Sequence, residues 1–220
     1  MKRKIRVAGG EVFTHGASWQ EADNYARELL AADPTGVYCS PFDHPDIWDG
    51  HSTMIDEIID DLGEAPDAVV VSVGGGGLFA GLMIGLERNG MDDVPVVAVE
   101  TAGADSLSAS LKAGKLVQLP KITSIATSLG ARTVAEKAFE LGQRRNVLSQ
   151  VLTDGQAAAT CVKFLDDERL CVEVACGVSI AVIYEKLLRK IVPGLTADSK
   201  VVLIVCGGKC MFLHSRFLIR

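Results

Sequence analysis

Four consecutive glycines, Gly74 to Gly77, separate two apolar runs, Ala68-Val-Val-Val-Ser-Val73 and Leu78-Phe-Ala-Gly-Leu-Met-Ile-Gly-Leu86. The β-branched first run favours a buried strand. The longer second run suits a buried helix. A chain written this way passes from strand to helix through a loop that carries no side chains. Such a loop lets backbone N–H groups approach an anion, and the helix N-terminus adds its partial positive charge. The pattern points to a phosphate-bearing ligand. It is neither G-x-G-x-x-G nor a Walker loop, because Leu78 and Phe79 stand where Lys and Ser/Thr would follow. With backbone donors alone, the loop suits one small, permanently held phosphate better than a triphosphate with magnesium. The plainer alternative is a tight turn that needs positive φ and binds nothing, although one or two glycines suffice for a turn.

Composition narrows the class further. The 220 residues are 48% hydrophobic and only 5% aromatic, with 22 glycines, which fits an α/β protein with an aliphatic core and short turns. A net charge of −6 weighs against nucleic acid or an anionic membrane surface as partner. No stretch approaches the roughly 18 apolar residues of a membrane span. The start, Met1-Lys-Arg-Lys-Ile-Arg6, lacks the apolar segment of a secretory signal, so a cytoplasmic location is expected. None of the six cysteines (Cys39, Cys161, Cys171, Cys176, Cys206, Cys210) forms a C-x-x-C pair. Reduced, mostly buried thiols are expected rather than a thiolate metal site.

Along the chain, Ser18 and Glu21 read as a capping box opening a helix over 19–31. Residues 11–14 and 37–39 read as short extended segments. A helix is expected over 53–62, strands over 68–73 and 95–100, and capping boxes at Thr133/Glu136 and Thr153/Gln156. An apolar helix over 178–191 and a final strand over 201–205 lead to a second glycine turn, Cys206-Gly-Gly-Lys209. This alternation implies a mostly parallel open sheet with helices on both faces. Ligands of such sheets bind outside the strand carboxyl ends. The tetraglycine, Glu100 and Cys206 all fall at such ends and should share one rim. Met211 to Arg220 is basic and apolar without a period.

At this point several motifs coincide with a known family. Val73-Gly-Gly-Gly-Gly-Leu78, Val99-Glu-Thr101 with Gly103, Ala104 and Ser106, Leu119-Pro-Lys-Ile-Thr-Ser124, Val172-Glu173 with Ala175-Cys-Gly177, and Val205-Cys-Gly-Gly208 occur in order. Together with Ser40-Pro-Phe-Asp-His-Pro-Asp-Ile-Trp-Asp-Gly-His51, they resemble the L-serine dehydratase/L-threonine deaminase family. These are fold-type II pyridoxal-phosphate enzymes, related to the tryptophan synthase β subunit. The resemblance runs from about residue 4 to residue 208.

The resemblance implies that Gly74, Gly75, Gly76, Gly77 and Leu78 hold the cofactor phosphate and that Cys206 faces the pyridine nitrogen. A neutral thiol is a weak donor there and leaves the ring a moderate electron sink. Gly74, Glu100, Ala104, Ser106, Leu129 and Ala131 match the family's site for potassium or another monovalent cation. One carboxylate with carbonyls and a hydroxyl makes a reasonable oxygen cage. Read without the family, the alternative for Glu100 is a strand-end acid capping a neighbouring helix. The resemblance further implies β-elimination of L-serine or L-threonine to pyruvate or 2-oxobutanoate plus ammonia, in amino-acid catabolism feeding gluconeogenesis. The expected partners are a small amino-acid substrate and a second identical chain.

Two departures stand beside the match. The family's Ser-Phe-Lys-type motif near the N-terminus, whose lysine bonds to the cofactor, and the Ser-x-Gly-Asn-type carboxylate loop that follows it have no counterpart in these 220 residues. Lys209 replaces the Ser or Asn that follows Cys-Gly-Gly, at the ring-nitrogen end and remote from the reacting carbon. The chain therefore resembles a remnant of the small domain (1–35) and a large cofactor-binding domain (36–220, with 209–220 atypical). A truncated gene product would account for both ends. No catalytic residue is assigned, and the polypeptide by itself is expected to be inactive. The alternative is a non-catalytic, cofactor-binding remnant or an interaction partner of a full-length paralogue.

Overall fold

The structure, a computed structural model, describes residues 2–208. Lys209 and the atypical segment 210–220 lie outside the described residues. The chain divides into two compact units, residues 1–40 and 41–220.

The first unit contains α1 (Lys2–Val7) and α2 (Trp19–Ala32). Ser18 caps α2 by accepting from the Glu21 N–H at 3.3 Å. The Glu21 carboxylate reaches back to the Ala17 N–H at 2.9 Å, one residue short of a reciprocal box. Asp23 is buried and held by Arg27 Nε at 2.9 Å and by the Tyr38 hydroxyl. Residues 11–14, expected as a short strand, and 37–39, expected as extended, belong to no strand. An extended segment needs a hydrogen-bonded partner strand to become one, and neither segment has one here.

The second unit opens with α3 (Pro45–Leu62), which starts eight residues before the expected 53. Pro45 is preorganised for a first turn, and the His44 ring accepts from the Asp46 N–H at 3.3 Å. The sheet follows, with β1 (Ala68–Ser72), β2 (Val96–Thr101), β3 (Val147–Leu152) and β4 (Val201–Leu203). All pairs are parallel, in the order β3-β2-β1-β4, with Val70 opposite Val97 and Leu203. The expected open α/β sheet is therefore present. It includes β3, a half-buried edge strand in which Ser149 and Gln150 dilute the apolar signal.

Alternation along the strands builds two cores. Val69, Val71, Val73, Val96 and Ala98 pack with Phe79, Leu82, Met83 and Leu86 of α4 (Gly77–Arg88). Leu107 of α5 (Ser106–Ala113) and Ala138 and Leu141 of α6 (Glu136–Gly142) join them. On the other face, Ala68, Val70, Val97 and Val99 pack with Ala157 of α7 (Asp154–Glu168) and Val178, Ala181 and Val182 of α8 (Val174–Tyr184). Val192, after the short α9 (Leu188–Ile191), closes this layer.

Three local expectations shift. The helix expected over 178–191 is broken at Lys186, where φ is +55°. Thr133 caps nothing; α6 starts behind Ala135, whose N–H donates instead to the Gly75 carbonyl at 2.9 Å. The Thr153/Gln156 box forms both of its bonds, at 3.2 and 3.0 Å. What fixes α4 is its glycine seam. A Cβ at Gly81 would lie 2.4 Å from His51 Cβ, and one at Gly85 2.6 Å from the Ser52 carbonyl. Bare backbone at both positions lets α3 lie against α4.

Candidate functional site

Chain direction in the sheet locates the site. From β1 the chain moves to β2 and β3 on one side, then returns to place β4 on the other. Such a reversal opens a crevice at the carboxyl end of the central strand. The tetraglycine leaves β1 at that point. Val73 still pairs through its N–H to the Val99 carbonyl at 2.8 Å, after which the loop is clamped on three sides. A Cβ at Gly74 would stand 3.0 Å from Leu129 Cα, in the 3-10 turn Thr127–Leu129. Added Cβ atoms at Gly75 and Gly77 would strike the Phe42 ring at 2.3 Å and the Phe42 carbonyl at 2.5 Å. Gly76 has φ +94° and stands against Ala138 of α6.

Protein neighbours thus require all four glycines to be bare, and the ligand needs a separate argument. It comes from the helix end. No side chain caps the N-terminus of α4, and the N–H groups of a first helical turn have no intrahelical acceptor. Gly77, Leu78 and Phe79 present such amides beside a left-handed glycine, which is the donor set a phosphate takes. The residues fit that group.

To one side, at the end of β2, lies Glu100, fully buried. Its Oε1 accepts from the Leu107 N–H at 2.8 Å and its Oε2 from the Ser108 N–H at 2.7 Å, so the carboxyl caps α5. Burial pushes its pKa up to about 8, against the pull of these two amides. Ser106, also fully buried, has a hydroxyl with no hydrogen-bond partner. Ala104 folds back through its N–H to the Thr101 carbonyl at 2.9 Å, and the Ala131 N–H donates to the Leu129 carbonyl at 2.8 Å. Gly74 touches Leu129, and Val73 and Val99 are paired, so both halves of the expected cation set lie on adjoining strand ends. Among the described residues no three His, Cys, Asp or Glu side chains form a metal cluster.

On the other side, beyond β4, is Cys206. Its thiol meets the Ser72 hydroxyl and the Cys176 thiol of α8. The Glu173 N–H holds the Gly207 carbonyl at 3.1 Å. The Glu173 carboxylate accepts from Ser128 Oγ at 3.0 Å, which ties this edge to the turn behind Gly74. Phe42, Ser72, Ser128, Glu173 and Cys176 were not among the expected site residues. Phe42 sits three residues ahead of α3 with no periodicity to mark it and, like Glu173 and Cys176, was visible only as part of a motif.

The fold and this rim define an α/β protein whose strand ends present an uncapped helix for a phosphate group, flanked by a buried acid and a thiol. The family model for pyridoxal-phosphate dependent enzymes matches residues 1–207, and the chain belongs to that family. A mouse protein named serine dehydratase-like is 46% identical over 209 residues, covering 94% of this chain and 63% of that protein. An L-serine dehydratase of Saccharomyces cerevisiae (strain AWRI1631) is 46% identical over 225 residues, covering 96% of this chain and 67% of its own length. Among solved structures, a fungal L-serine ammonia-lyase from Rhizomucor miehei superposes with a TM-score of 0.88 at 37% identity, over 94% of this chain and 65% of that one. The processed form of threonine deaminase isoform 2 from Solanum lycopersicum gives 0.83 at 28%, over 96% and 60%. The chain thus spans 60 to 67% of the length of these proteins.

Proposed function

We propose that this chain supplies the cofactor-holding half of an L-serine ammonia-lyase, with L-threonine as second substrate. The observation that carries this reading is the uncapped N-terminus of α4 behind four bare glycines, set between Glu100 and Cys206. The amides of Gly77, Leu78 and the preceding loop would hold the phosphate of pyridoxal phosphate. The Cys206 thiol would lie at the ring nitrogen. When bound, the cofactor supplies the electron sink for α-proton loss and departure of the β-hydroxyl. The protein's part is to orient the ring and to keep its nitrogen end weakly bonded.

Glu100, the orphaned Ser106 hydroxyl and the carbonyls of Gly74, Ala104, Leu129 and Ala131 suit a monovalent cation such as potassium. A buried acid with no ion-pair partner among the described residues is what such an ion would neutralise. Proton transfer requires a base within hydrogen-bond reach of the reacting carbon. No Ser-Phe-Lys occurs in the 220 residues, and Lys112 of Ser110-Leu-Lys112 is exposed in the last turn of α5, so the polypeptide by itself should bind cofactor without turning over serine. The same reading includes the assignment of residues 1–35 to a small domain, a cytoplasmic location and a pair of identical chains.

A titration with pyridoxal phosphate and with pyridoxal tests the reading. The phosphate form should bind far more tightly, and Gly75→Asp should abolish the difference. Equal affinity for both ligands would refute the phosphate site. Borohydride reduction should label no single lysine, and serine should yield no pyruvate; stoichiometric labelling with turnover would refute the inactivity of the polypeptide by itself.

A further inference from the structure

The two thiols at the far edge of the cleft have a geometry that ring contact alone does not require. Cys176 is the third residue of α8, in the first turn, where the positive end of the helix favours a thiolate. The strand-end loop is pinned over this turn by the Glu173 N–H to Gly207 carbonyl bond, at 3.1 Å. It fits so closely that a Cβ at Gly208 would stand 2.7 Å from the Glu173 nitrogen. That position brings the Cys206 thiol beside the Cys176 sulfur. Cys176 is buried whereas Cys206 is exposed, so a small reagent has a way in. Its other sulfur neighbour, Cys161, is buried on α7 in the same apolar cluster.

We propose that Cys176 and Cys206 form a reversible intrachain disulfide when the protein meets a hydroperoxide. The charges around the pair agree with this geometry. The Cys176 thiol is held below its ordinary range, first by the Cys206 thiol beside it, with the Gly207 and Cys206 amides adding to this and burial and Glu173 opposing. Cys206 is held protonated by the same contact. Cys161 is pushed up to about 11 by burial, with Cys176 and Cys171 adding to the rise, and so stays a neutral thiol. The pair shares one proton and thus offers a nucleophile and a resolving thiol in contact.

Cys176 sulfur attacks one peroxide oxygen, the O–O bond breaks, and hydroxide leaves to become water with one proton. Cys206 sulfur then attacks the sulfenic sulfur, the S–S bond forms, and the hydroxyl leaves as a second water with the Cys206 proton. Two electrons pass from the thiols to the peroxide, and a dithiol reductant reverses the result. Because the disulfide has no S–H, the ring nitrogen would lose its donor, a consequence that rests on the placement of Cys206 proposed above.

The folded 220-residue chain, treated with hydrogen peroxide, alkylated and cleaved after Lys209 and Glu173, isolates Cys206 from Cys210 and Cys176 from Cys171. A cross-linked Cys176–Cys206 peptide is expected, about 2 Da below the sum of its reduced parts, and it should be lost with dithiothreitol. Cys161→Ser should keep it, Cys206→Ser should abolish it, and the urea-unfolded chain should give a mixture. Cross-linking of Cys176 to Cys161 or Cys171 instead, full alkylation of Cys176 after peroxide, or equal yield in urea would each overturn the proposal. If the cross-link forms while pyridoxal-phosphate affinity is unchanged, the disulfide stands and the ring placement of Cys206 falls.

Discussion

Replacing Gly76 with alanine separates the two reasons why this position is bare. The backbone there has φ +94°, a conformation that places a Cβ against its own carbonyl, for about 1–2 kcal/mol. The new Cβ would also stand 2.4 Å from Ala138 Cβ and 3.0 Å from Val134 Cγ2. Overpacking of that kind costs about 1–3 kcal/mol. The sum, about 2–5 kcal/mol, is a large share of the 5–15 kcal/mol typical of a domain. It should move a urea midpoint down by roughly 1–2 M. Ala138→Gly removes the nearest obstacle, at a helix cost of about 1 kcal/mol. In that background Gly76→Ala should therefore cost the backbone part and the remaining Val134 contact at 3.0 Å, without the clash on Ala138. The double-mutant cycle, read by urea denaturation at fixed pH, gives the Ala138 part of the packing as the difference. An identical cost in both backgrounds would refute the steric account. A total below about 0.5 kcal/mol, the scale of an ordinary surface change, would refute the backbone account as well.

Gly75→Ala should be destabilising while Phe42 is present and close to neutral in a Phe42→Ala background, because the Phe42 ring is what its Cβ would strike at 2.3 Å; equal costs by urea denaturation would rule out the clasp. Glu100 sets a pH dependence: its folded pKa of about 8 lies above the ordinary 4.5, so the folded chain holds a proton that the unfolded chain releases. This contribution is fully present below about pH 4.5 and is lost towards pH 8, at about 1.4 kcal/mol per unit. Thermal midpoints in tetramethylammonium buffer should fall across that window, potassium should flatten the fall, and Glu100→Gln should remove both effects. An unchanged slope in Glu100→Gln would reject the assignment.

The sequence made the central strands legible because β1 and β2 are buried on both faces and appear as unbroken Val and Ala runs. It hid β3, since a half-buried edge strand needs no continuous apolar signal. The capping boxes divide in an instructive way. Thr153 and Gln156 satisfy each other locally, and that box forms. Around Thr133 the decisive bond is the long-range one from Ala135 to Gly75, which no local pattern encodes. The helix break at Lys186 was equally invisible, because Leu187, Leu188 and Ile191 keep the apolar character expected of a continuing helix. At the site, glycines and the strand-end acid were readable because their chemistry is local. The Phe42 clasp and the Ser128–Glu173 tie were not, because each joins segments far apart in the chain.

Glu100 shows how the two readings of one residue combine. As a helix cap it is complete, with one amide on each oxygen. A cap alone, however, gives no reason to bury the acid fully beside a hydroxyl that has no partner. Each carboxylate oxygen can accept more than one bond, and Ser106 offers another oxygen at the start of the same helix. A monovalent cation placed among these oxygens would hold Glu100 ionised and satisfy Ser106. It would also link α5 to the turn that presses on Gly74, since Leu129 belongs to both the expected cation set and the loop's clamp. Cation binding should then tighten pyridoxal phosphate at the glycine loop without touching it. A thermodynamic cycle measures the coupling directly: cofactor affinity with and without potassium, against potassium affinity with and without cofactor. Equal gains in the two affinities in wild type that vanish in Glu100→Gln are the expected result. Independent binding of the two would leave Glu100 as a helix cap and nothing more.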